Sequence, residues 1–299
     1  MTPTRTQSPM APSFTETVEP IIRRIDGWLA DAIAAQSMPA NLREAANHAV
    51  LVGGKRLRPL LTVLCCEALG GAEDDARAPA VALELVHAFS LVHDDLPALD
   101  NDLLRRGQPT VHAKYGEAMG VLAGDLLLTL AFAVVSRGGC PAAVIGELSS
   151  ATIGMINGQV YDSLGGFEPD CRRDLDRLRL IHENKTGALL VAACRMGGIC
   201  GGADPEQLRR LTTYGNAIGL MFQVVDDLLD VTQSTEHLGK AAGKDLSAGK
   251  LTFPGVMGVD ASRAHVQELL EEASTAIAPF GASGRPLAEL AEYMAVRTR

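Results

Sequence analysis

The stretch Leu91-Val-His-Asp-Asp-Leu-Pro-Ala-Leu-Asp100-Asn-Asp102 ends an apolar, helix-like run with four aspartates, and Arg105-Arg-Gly107 follows it closely. Carboxylates beside an apolar segment are unfavourable to bury unless cations neutralise them. Clustered carboxylates suit Mg²⁺, which keeps several waters and binds through one or two carboxylates together with substrate phosphates. Arginines bind the same phosphates. Taken alone, the stretch is more typical of an acidic helix end and its loop, so a second cluster is needed to decide.

A second acidic cluster lies about 130 residues further along, in Phe222-Gln-Val-Val-Asp226-Asp-Leu-Leu-Asp230. Asp226 and Asp230 share one helix face with Gln223 and, one turn earlier, with Gly219. The flanking residues are nearly all apolar, which is unusual for a solvated face, so these carboxylates are predicted to face a polar cavity. Two such clusters predict two facing walls, with metal ions holding a diphosphate between them.

The composition predicts an all-α protein. Hydrophobic residues make up 47% of the 299 positions and aromatic residues only 4%, whereas a sheet protein would contain more aromatic and β-branched residues. Apolar runs bounded by glycine pairs and prolines predict about ten helices in a single domain over residues 14–299. Residues 1–13 are predicted to be a disordered tail, and residues 233–250 a mobile loop.

Proline positions predict where the helix before the first cluster begins and ends. Pro79 is expected to open it and Pro97 to end it. Asp94 and Asp100 are six residues apart and would share no face of a regular helix. Asp100 therefore reaches an ion bound by Asp94 only if Pro97 breaks the helix. A later helix is predicted over residues 172–197.

Charge and cysteine usage exclude several classes of protein. The net charge of −9 disfavours a nucleic-acid partner. The six cysteines show no zinc-binding or CxxC spacing and are typical of intracellular thiols. Residues 1–13 lack the apolar core of a secretory signal. The longest apolar run, Val121–Val135, contains Asp125 and is too short for a membrane span. We therefore expect a cytoplasmic protein with no stable membrane insertion.

The two clusters resemble the aspartate-rich motifs of trans-prenyl diphosphate synthases, the polyprenyl synthetase family. The first has the longer spacing Asp94-Asp95-x4-Asp100, as in many bacterial farnesyl and many geranylgeranyl synthases. Supporting segments also match in order, over residues 45–255: Gly53-Gly-Lys-Arg-Leu-Arg-Pro59, Arg105-Arg-Gly107, Leu122-Ala-Gly-Asp125, Gly158-Gln-Val-Tyr-Asp162, Lys185-Thr-Gly-Ala188 and Leu238-Gly-Lys240. The resemblance implies the isoprenoid synthase fold, a helical bundle around a central cavity. It also implies a reaction that joins an allylic diphosphate to isopentenyl diphosphate.

The resemblance further implies a role for each matching residue. About three Mg²⁺ ions would be bound by five carboxylates: Asp94, Asp95, Asp100, Asp162 and Asp226. Isopentenyl diphosphate would contact three cations and a neutral donor: Lys55, Arg58, Arg106 and His87. The allylic diphosphate would contact Arg105, Lys185, Thr186, Gln223 and Lys240. The predicted catalytic set is Asp94, Asp95, Asp100, Arg105, Lys185, Asp226 and Lys240.

Three other charged residues receive a weaker interpretation. Asp227 and Asp230 are expected to act through water or behind the metal ligands. Arg56 is expected to be solvated or paired within the protein.

Product length is predicted from Phe89, which lies five residues before Asp94, or about 7.5 Å along a helix at about 1.5 Å per residue. A large aromatic here resembles the floor that stops elongation at C15 in the family, although a core phenylalanine is the ordinary interpretation. Farnesyl diphosphate, made from dimethylallyl and geranyl diphosphates, is therefore the predicted product. Geranylgeranyl diphosphate (C20) is the alternative, because the long first motif and the loop over residues 243–250 suit it also.

Two predictions concern partners. A non-catalytic, synthase-like partner subunit would be expected to have lost aspartates, and this chain retains both sets. The resembling family is usually homodimeric, which implies a homodimer here. The small-residue-rich helices near residues 117–164 are the candidate interface.

Overall fold

Helix follows helix through the computed structural model, which describes residues 14–236 and 251–296. The α-helices are α1 Phe14–Ala34, α2 Ala40–Leu51, α3 Leu57–Ala68, α4 Glu73–Asp94, α5 Val111–Tyr115, α6 Glu117–Arg137, α7 Ala142–Leu164, α8 Asp174–His182, α9 Ala188–Cys200, α10 Pro205–Glu236, α11 Phe253–Met257, α12 Val259–Ile277 and α13 Arg285–Val296. A π-helical turn, Glu183–Gly187, joins α8 to α9, and a 3₁₀ segment, Ala278–Gly284, joins α12 to α13. Strands β1 Leu104–Arg105 and β2 Gln108–Pro109 form a two-residue antiparallel hairpin.

The all-α prediction is confirmed. In the described ranges, eleven α-helices have nine residues or more and two have five, close to the number expected from the sequence. The predicted tail at residues 1–13 lies outside the described residues, as do residues 237–250 of the predicted loop, with Lys240.

The predicted start of α4 is wrong. The helix begins at Glu73, and Pro79 lies inside it. The Asp75 side chain accepts a hydrogen bond of 2.9 Å from the Ala72 amide, and the acidic first turn suits the positive end of a helix dipole. These contacts stabilise a start six residues before the proline. Packing of α4 against α3, α6 and α9 then continues the helix through it.

The predicted end of α4 is confirmed. The helix stops at Asp94, three residues before Pro97. The Asp100 amide then donates a hydrogen bond of 2.9 Å to the Asp94 carbonyl oxygen. This turn brings the Asp100 backbone back beside the end of the helix.

The two helices that carry the acidic clusters share a neighbour. α9 packs against both α4 and α10, and its buried face contains Leu189, Ala192, Ala193 and Met196. The π-helical turn before α9 packs against α7 and α10. The turn therefore lies against α7 and α10, while α9, which follows it, packs on α4.

α6 combines a buried and an exposed apolar face. It packs against α2, α4, α5 and α7, while Val121 and Leu122 are 43% and 55% exposed. At 21 residues it is long and apolar enough to cross a membrane, so the sequence argument from length was wrong for this helix. Core helices of soluble proteins meet the same criterion. The absence of membrane insertion stays a prediction.

Candidate active site

The end of α4 holds a carboxylate in an environment that disfavours its charge. Burial raises the pKa of Asp94 to about 6, and the charges of Asp100 and Asp95 add to the shift, while Lys185 and Arg105 oppose it. Lys185 lies on the π-helical turn, so that turn is near enough to act on the end of α4. The structure therefore brings together residues almost 100 positions apart in the sequence.

Asp95 is held by Arg105. The Arg105 Nε and Nη2 atoms donate hydrogen bonds of 2.6–3.0 Å to its carboxylate, and the Asp95 side chain is only 5% exposed. Burial alone would lower the pKa of Arg105, but the hydrogen bonds and charge of Asp95 outweigh it and raise that pKa. Sequence reasoning missed this ion pair. The metal-binding role of Asp95 and the diphosphate-binding role of Arg105 stay predictions.

Lys185 also pairs with Asp162. Its Nζ lies 2.6 Å from Asp162 Oδ2, and the two side chains are 28% and 17% exposed. Asp162 belongs to the last turn of α7, so this contact joins α7 to the π-helical turn. Thr186, the next residue of that turn, is half-buried.

The second acidic cluster divides into two kinds of carboxylate. Asp227 is buried and accepts a hydrogen bond of 2.8 Å from the Phe253 amide, so it fastens α11 to α10. Asp230 Oδ2 is buried and has no hydrogen-bond partner among the described residues. Asp226 and Gln223 are half-buried on the same helix. A buried carboxylate oxygen without a partner requires an explanation, and a bound cation is one.

These carboxylates fit a divalent cation in their chemistry. A cation would relieve both the unfavourable charge of Asp94 and the unpaired oxygen of Asp230, and carboxylate oxygens are ligands that Mg²⁺ prefers. Among residues 14–236 and 251–296, no three His, Cys, Asp or Glu side chains lie close enough to bind an ion as they stand. Ions bound here would therefore also take oxygens from water and from a diphosphate.

A basic pocket forms beside the start of α3. Burial lowers the pKa of His87 well below its usual value, and the guanidinium groups of Arg58 and Arg106 lower it further. The imidazole is therefore neutral. Burial likewise lowers the pKa of Arg58, whose Nε is buried without a hydrogen-bond partner in the described chain. An anionic ligand would satisfy that donor and neutralise the cations.

The glycine pair at residues 53–54 makes room for Arg106. Arg106 Nη1 donates a hydrogen bond to the Gly53 carbonyl oxygen. A Cβ at Gly54 would lie 2.6 Å from Arg106 Nη1, and the φ angle of Gly54 is +154°. Lys55, the next residue, is exposed. The structure thus brings Arg58, His87 and Arg106 together, as the resemblance implied.

Arg56, two residues before Arg58, is buried and paired within the protein. It is 3% exposed and donates to Glu84 at 2.8 Å and to Asp26 at 2.7 Å, so the interpretation as a solvated residue is wrong and pairing within the protein is confirmed. Arg56, Asn101 and Arg106 have positive φ angles of 48–53°, a strained conformation for residues other than glycine that is often found at functional sites. Glu84 was missed, although a glutamate inside an apolar helix is a recognisable signal for a buried ion pair.

Phe89 faces α6. Its ring lies edge-on to the His93 ring with centroids 5.1 Å apart, and His93 Nε2 lies 3.1 Å from the Val121 carbonyl oxygen. A Cβ at Gly124 would meet the His93 ring, so glycine allows this close packing. At about 100° per residue, Phe89 lies about 140° around the helix from Asp94. Ser90 lies nearly in line with Asp94.

A family model described as polyprenyl synthetase matches residues 39–279. Geranylgeranyl pyrophosphate synthase 11 (chloroplastic) of Arabidopsis thaliana is 47% identical over 270 residues, which are 87% of this chain and 75% of the relative. The heterodimeric geranylgeranyl pyrophosphate synthase large subunit 1 of the same plant is 45% identical over 271 residues, or 87% of this chain and 73% of the relative.

Solved structures agree in fold along nearly the whole chain. A geranylgeranyl pyrophosphate synthetase from Pyrococcus horikoshii has a TM-score of 0.83 and 31% identity, covering 95% of this chain and 98% of that one. An FPP/GFPP synthase from Zymomonas mobilis has a TM-score of 0.80 and 33% identity, covering 95% and 99%. A polyprenyl synthase from Caulobacter crescentus, complexed with calcium and isoprenyl diphosphate, has a TM-score of 0.82 and 28% identity, covering 96% and 97%.

The fold and these matches define the class: the chain belongs to the polyprenyl synthetase family. Within that family it is a trans-prenyl diphosphate synthase, a prenyltransferase of isoprenoid biosynthesis.

Proposed function

We propose that the protein is a geranylgeranyl diphosphate synthase, which extends allylic diphosphates with isopentenyl diphosphate to a C20 product. The observation that carries the proposal is the 44–48% identity to relatives named geranylgeranyl pyrophosphate synthases, over 87–90% of this chain. The position of Phe89 supports it, because the ring packs on His93 at the α6 side of α4. The farnesyl product predicted from Phe89 becomes the second candidate.

The site residues fit the chemistry of this reaction. Mg²⁺, when bound by the aspartates, would neutralise the allylic diphosphate and assist its departure as a leaving group. Lys185 and Arg105 add fixed positive charge where the diphosphate oxygens become more negative. Arg58 and Arg106 hold the diphosphate of isopentenyl diphosphate, and neutral His87 adds a hydrogen bond.

Carbon–carbon bond formation then needs a site from which water is excluded. The alkene of isopentenyl diphosphate attacks C1 of the allylic cation, the new carbon–carbon bond leaves the positive charge on C3 of the isopentenyl unit, and loss of a proton from C2 of that unit restores a double bond. Water would capture the cation, so the apolar helices around the site must exclude it.

Product analysis tests the proposal directly. The protein is incubated with Mg²⁺, isopentenyl diphosphate and dimethylallyl, geranyl or farnesyl diphosphate, and the products are sized by chromatography. We expect a dominant C20 product and a loss of turnover when the metal is chelated. No product from any starter would contradict the prenyltransferase function, whereas a dominant C15 product would contradict only the proposed length.

Phe89→Ala is expected to destabilise the protein without changing product length. Phe89 is 7% exposed, and truncating a buried phenylalanine costs about 3–5 kcal/mol. Because the ring lies about 140° around α4 from Asp94, its removal leaves the Asp94 side of α4 unchanged. The reciprocal variant, Ser90→Phe, places a ring nearly in line with Asp94 and is expected to shorten the product to C15.

The measurement is the ratio of C15, C20 and longer products, together with the thermal midpoint. A wild-type enzyme that makes C15, combined with a Phe89→Ala variant that makes C20 or longer, would establish Phe89 as the floor. That result would replace the proposed product with farnesyl diphosphate.

We also propose that the protein is a homodimer, as the resemblance implied. One face of α7 carries apolar side chains that are 37–76% exposed: Ile145, Ile153, Ile156, Val160 and Leu164. Their spacing of three, four and eight residues keeps them on one face of the helix, and such a patch is typical of a protein interface. Because one relative is named a heterodimer subunit, a different partner is the alternative. A cytoplasmic location stays a prediction.

Ile156→Arg is expected to convert the dimer to a monomer, because it places an unpaired charge in the middle of the apolar face. The measurement is molar mass by light scattering across a range of protein concentrations. The control is Val296→Arg, at a position that is 72% exposed at the end of α13. A wild-type monomer, or a dimer that survives Ile156→Arg, would contradict the proposed interface.

A further inference from the structure

The π-helical turn that carries Lys185 is enclosed by two close helix contacts. π-Helical turns are rare and frequently occur at functional sites. On one side, a Cβ at Gly219 of α10 would lie 3.2 Å from the Gly187 Cα, the last residue of the turn. On the other side, the turn contacts α7 at Gly158. Glycines thus set how closely both helices approach the turn.

The contact at Gly158 is the tighter of the two. A Cβ there would lie 2.5 Å from the Lys185 Cα and 2.7 Å from the Asn184 carbonyl carbon. Both are backbone atoms, so no side-chain rotation could relieve the clash. A single added methyl group would push the turn away from α7 by about 1 Å, since non-bonded carbons sit about 3.5–4.0 Å apart.

Gly158 lies one helical turn before Asp162. Residues four apart share a face of a helix, so α7 meets the π-helical turn twice: by backbone contact at Gly158 and by the 2.6 Å ion pair between Asp162 and Lys185. The first contact fixes the distance across which the second is made. It also fixes where the Lys185 ammonium stands relative to Asp94, on whose carboxyl group Lys185 acts.

We propose that Gly158 is a positioning residue for prenyl transfer, which acts by allowing the backbone of α7 to approach the π-helical turn and so places the Lys185 ammonium at the allylic diphosphate. The inference rests on the proposed role of Lys185 at that diphosphate. It assigns no contact with substrate to Gly158, which acts only through the turn. A misplacement of about 1 Å in a catalytic group lowers activity by about 100-fold.

The test compares four variants with the wild-type enzyme: Gly158→Ala, Lys185→Ala, the double variant and Gly27→Ala. Gly27 of α1 is the control, since a Cβ there would have no neighbour within 4 Å. The measurements are kcat, the KM of each substrate by a radiolabel assay, and the thermal midpoint. Gly158→Ala is expected to lower kcat/KM for the allylic diphosphate by about 10- to 100-fold. The KM for isopentenyl diphosphate is expected to stay within about two-fold, because its predicted ligands lie outside α7 and the turn.

The double variant separates positioning from packing. If Gly158 acts through Lys185, adding Gly158→Ala to Lys185→Ala is expected to cost less than about two-fold more, because coupled residues give non-additive effects. A purely structural role would lower the thermal midpoint and reduce activity by the same factor in both backgrounds. Should Gly158→Ala fail to fold, Gly154→Ala applies a smaller push, since its Cβ would lie 3.1 Å from the Ala188 Cβ. That variant is expected to show the same pattern with a smaller loss.

Three outcomes would overturn the inference. The first is full activity of Gly158→Ala, or of Gly154→Ala where it replaces Gly158→Ala. The second is an equal loss in both Lys185 backgrounds. The third is full activity of Lys185→Ala, which would also refute the proposed role of Lys185, whereas the first two leave that role intact.

Discussion

Asp94→Asn is expected to lower kcat by about 100- to 1,000-fold, the range found when one preorganised electrostatic group is removed, while the protein stays folded. The folded protein holds the Asp94 proton more tightly than the unfolded chain does, because burial raises the pKa to about 6. Stability of the metal-free fold is therefore lost as the pH rises from the ordinary pKa of 3.8 to about 6, and at pH 7 the full cost of the ionised carboxylate is present. Asparagine has nearly the same shape and no charge, so the metal-free variant is expected to be at least as stable as the wild type at pH 7.

Activity and ligand-induced stabilisation are measured together in this experiment. The thermal midpoint of the wild type is expected to rise with Mg²⁺ and inorganic diphosphate, since a ligand stabilises the state that binds it, and this rise is expected to disappear in Asp94→Asn. The control is Asp260→Asn on α12, whose side chain is fully exposed. An Asp94→Asn variant that keeps more than a tenth of wild-type kcat, or that unfolds more readily without metal, would contradict the prediction.

The two acidic clusters and the basic pocket could be predicted because the motifs that carry them consist of residues close together in the sequence. Asp226 and Asp230 share a helix face by their spacing alone, and Pro97 indicates the turn that returns Asp100 to the end of α4. The ion pairs that connect these segments have no such signal. Lys185 meets Asp162 across 23 positions, and Arg105 meets Asp95 across 10 positions that include the positive φ angle of Asn101. The sequence names the charged groups, but their partners depend on tertiary packing.

Two backbone features show why local propensity was insufficient. Pro79 would end most helices, yet α4 passes through it because helices on several sides pack against α4. The π-helical turn at Lys185 adds one residue to what appears from the sequence to be a regular helix. Gly158 gives a retrospective signal for it, since a glycine within a helix is unfavourable unless a close contact requires it.

The product length depends on which side of α4 the Phe89 ring occupies, and the number of residues between Phe89 and Asp94 does not show which helices pack on that side. Phe89 lies five residues before Asp94, which fixes its height along α4 but says nothing of the side it faces until the neighbours of α4 are known. The packing of Phe89 on His93, and of His93 on α6 at Gly124, places the ring away from Asp94. The distance of Phe89 from Asp94 along the α4 axis therefore supports a C15 product, whereas the side of α4 on which its ring lies supports a C20 product.

Arg105→Met is expected to lower both stability and activity, for separable reasons. It leaves the Asp95 carboxylate, with a side chain only 5% exposed, without its cation. Removing one partner of a buried ion pair costs about 3–5 kcal/mol, and the lower figure is expected because Arg105 is 33% exposed. Activity is expected to fall by about 100- to 1,000-fold, because a fixed positive charge near the leaving diphosphate is lost.

The double variant Asp95→Asn/Arg105→Met separates the two effects. Neutralising both partners is often nearly neutral for stability, so chemical denaturation is expected to return a free energy of unfolding close to that of the wild type. Activity is expected to stay low, because the charge at the diphosphate is still missing and Asp95 belongs to the predicted metal ligands. Arg285→Met breaks an exposed pair with Glu289 and is expected to change stability by less than about 1 kcal/mol. If the double variant recovers stability and activity together, neither charge is needed at the diphosphate, and the role of Arg105 is only to balance the charge of Asp95. If it does not recover stability, the Asp95 carboxylate makes a contact besides Arg105 that stabilises the fold.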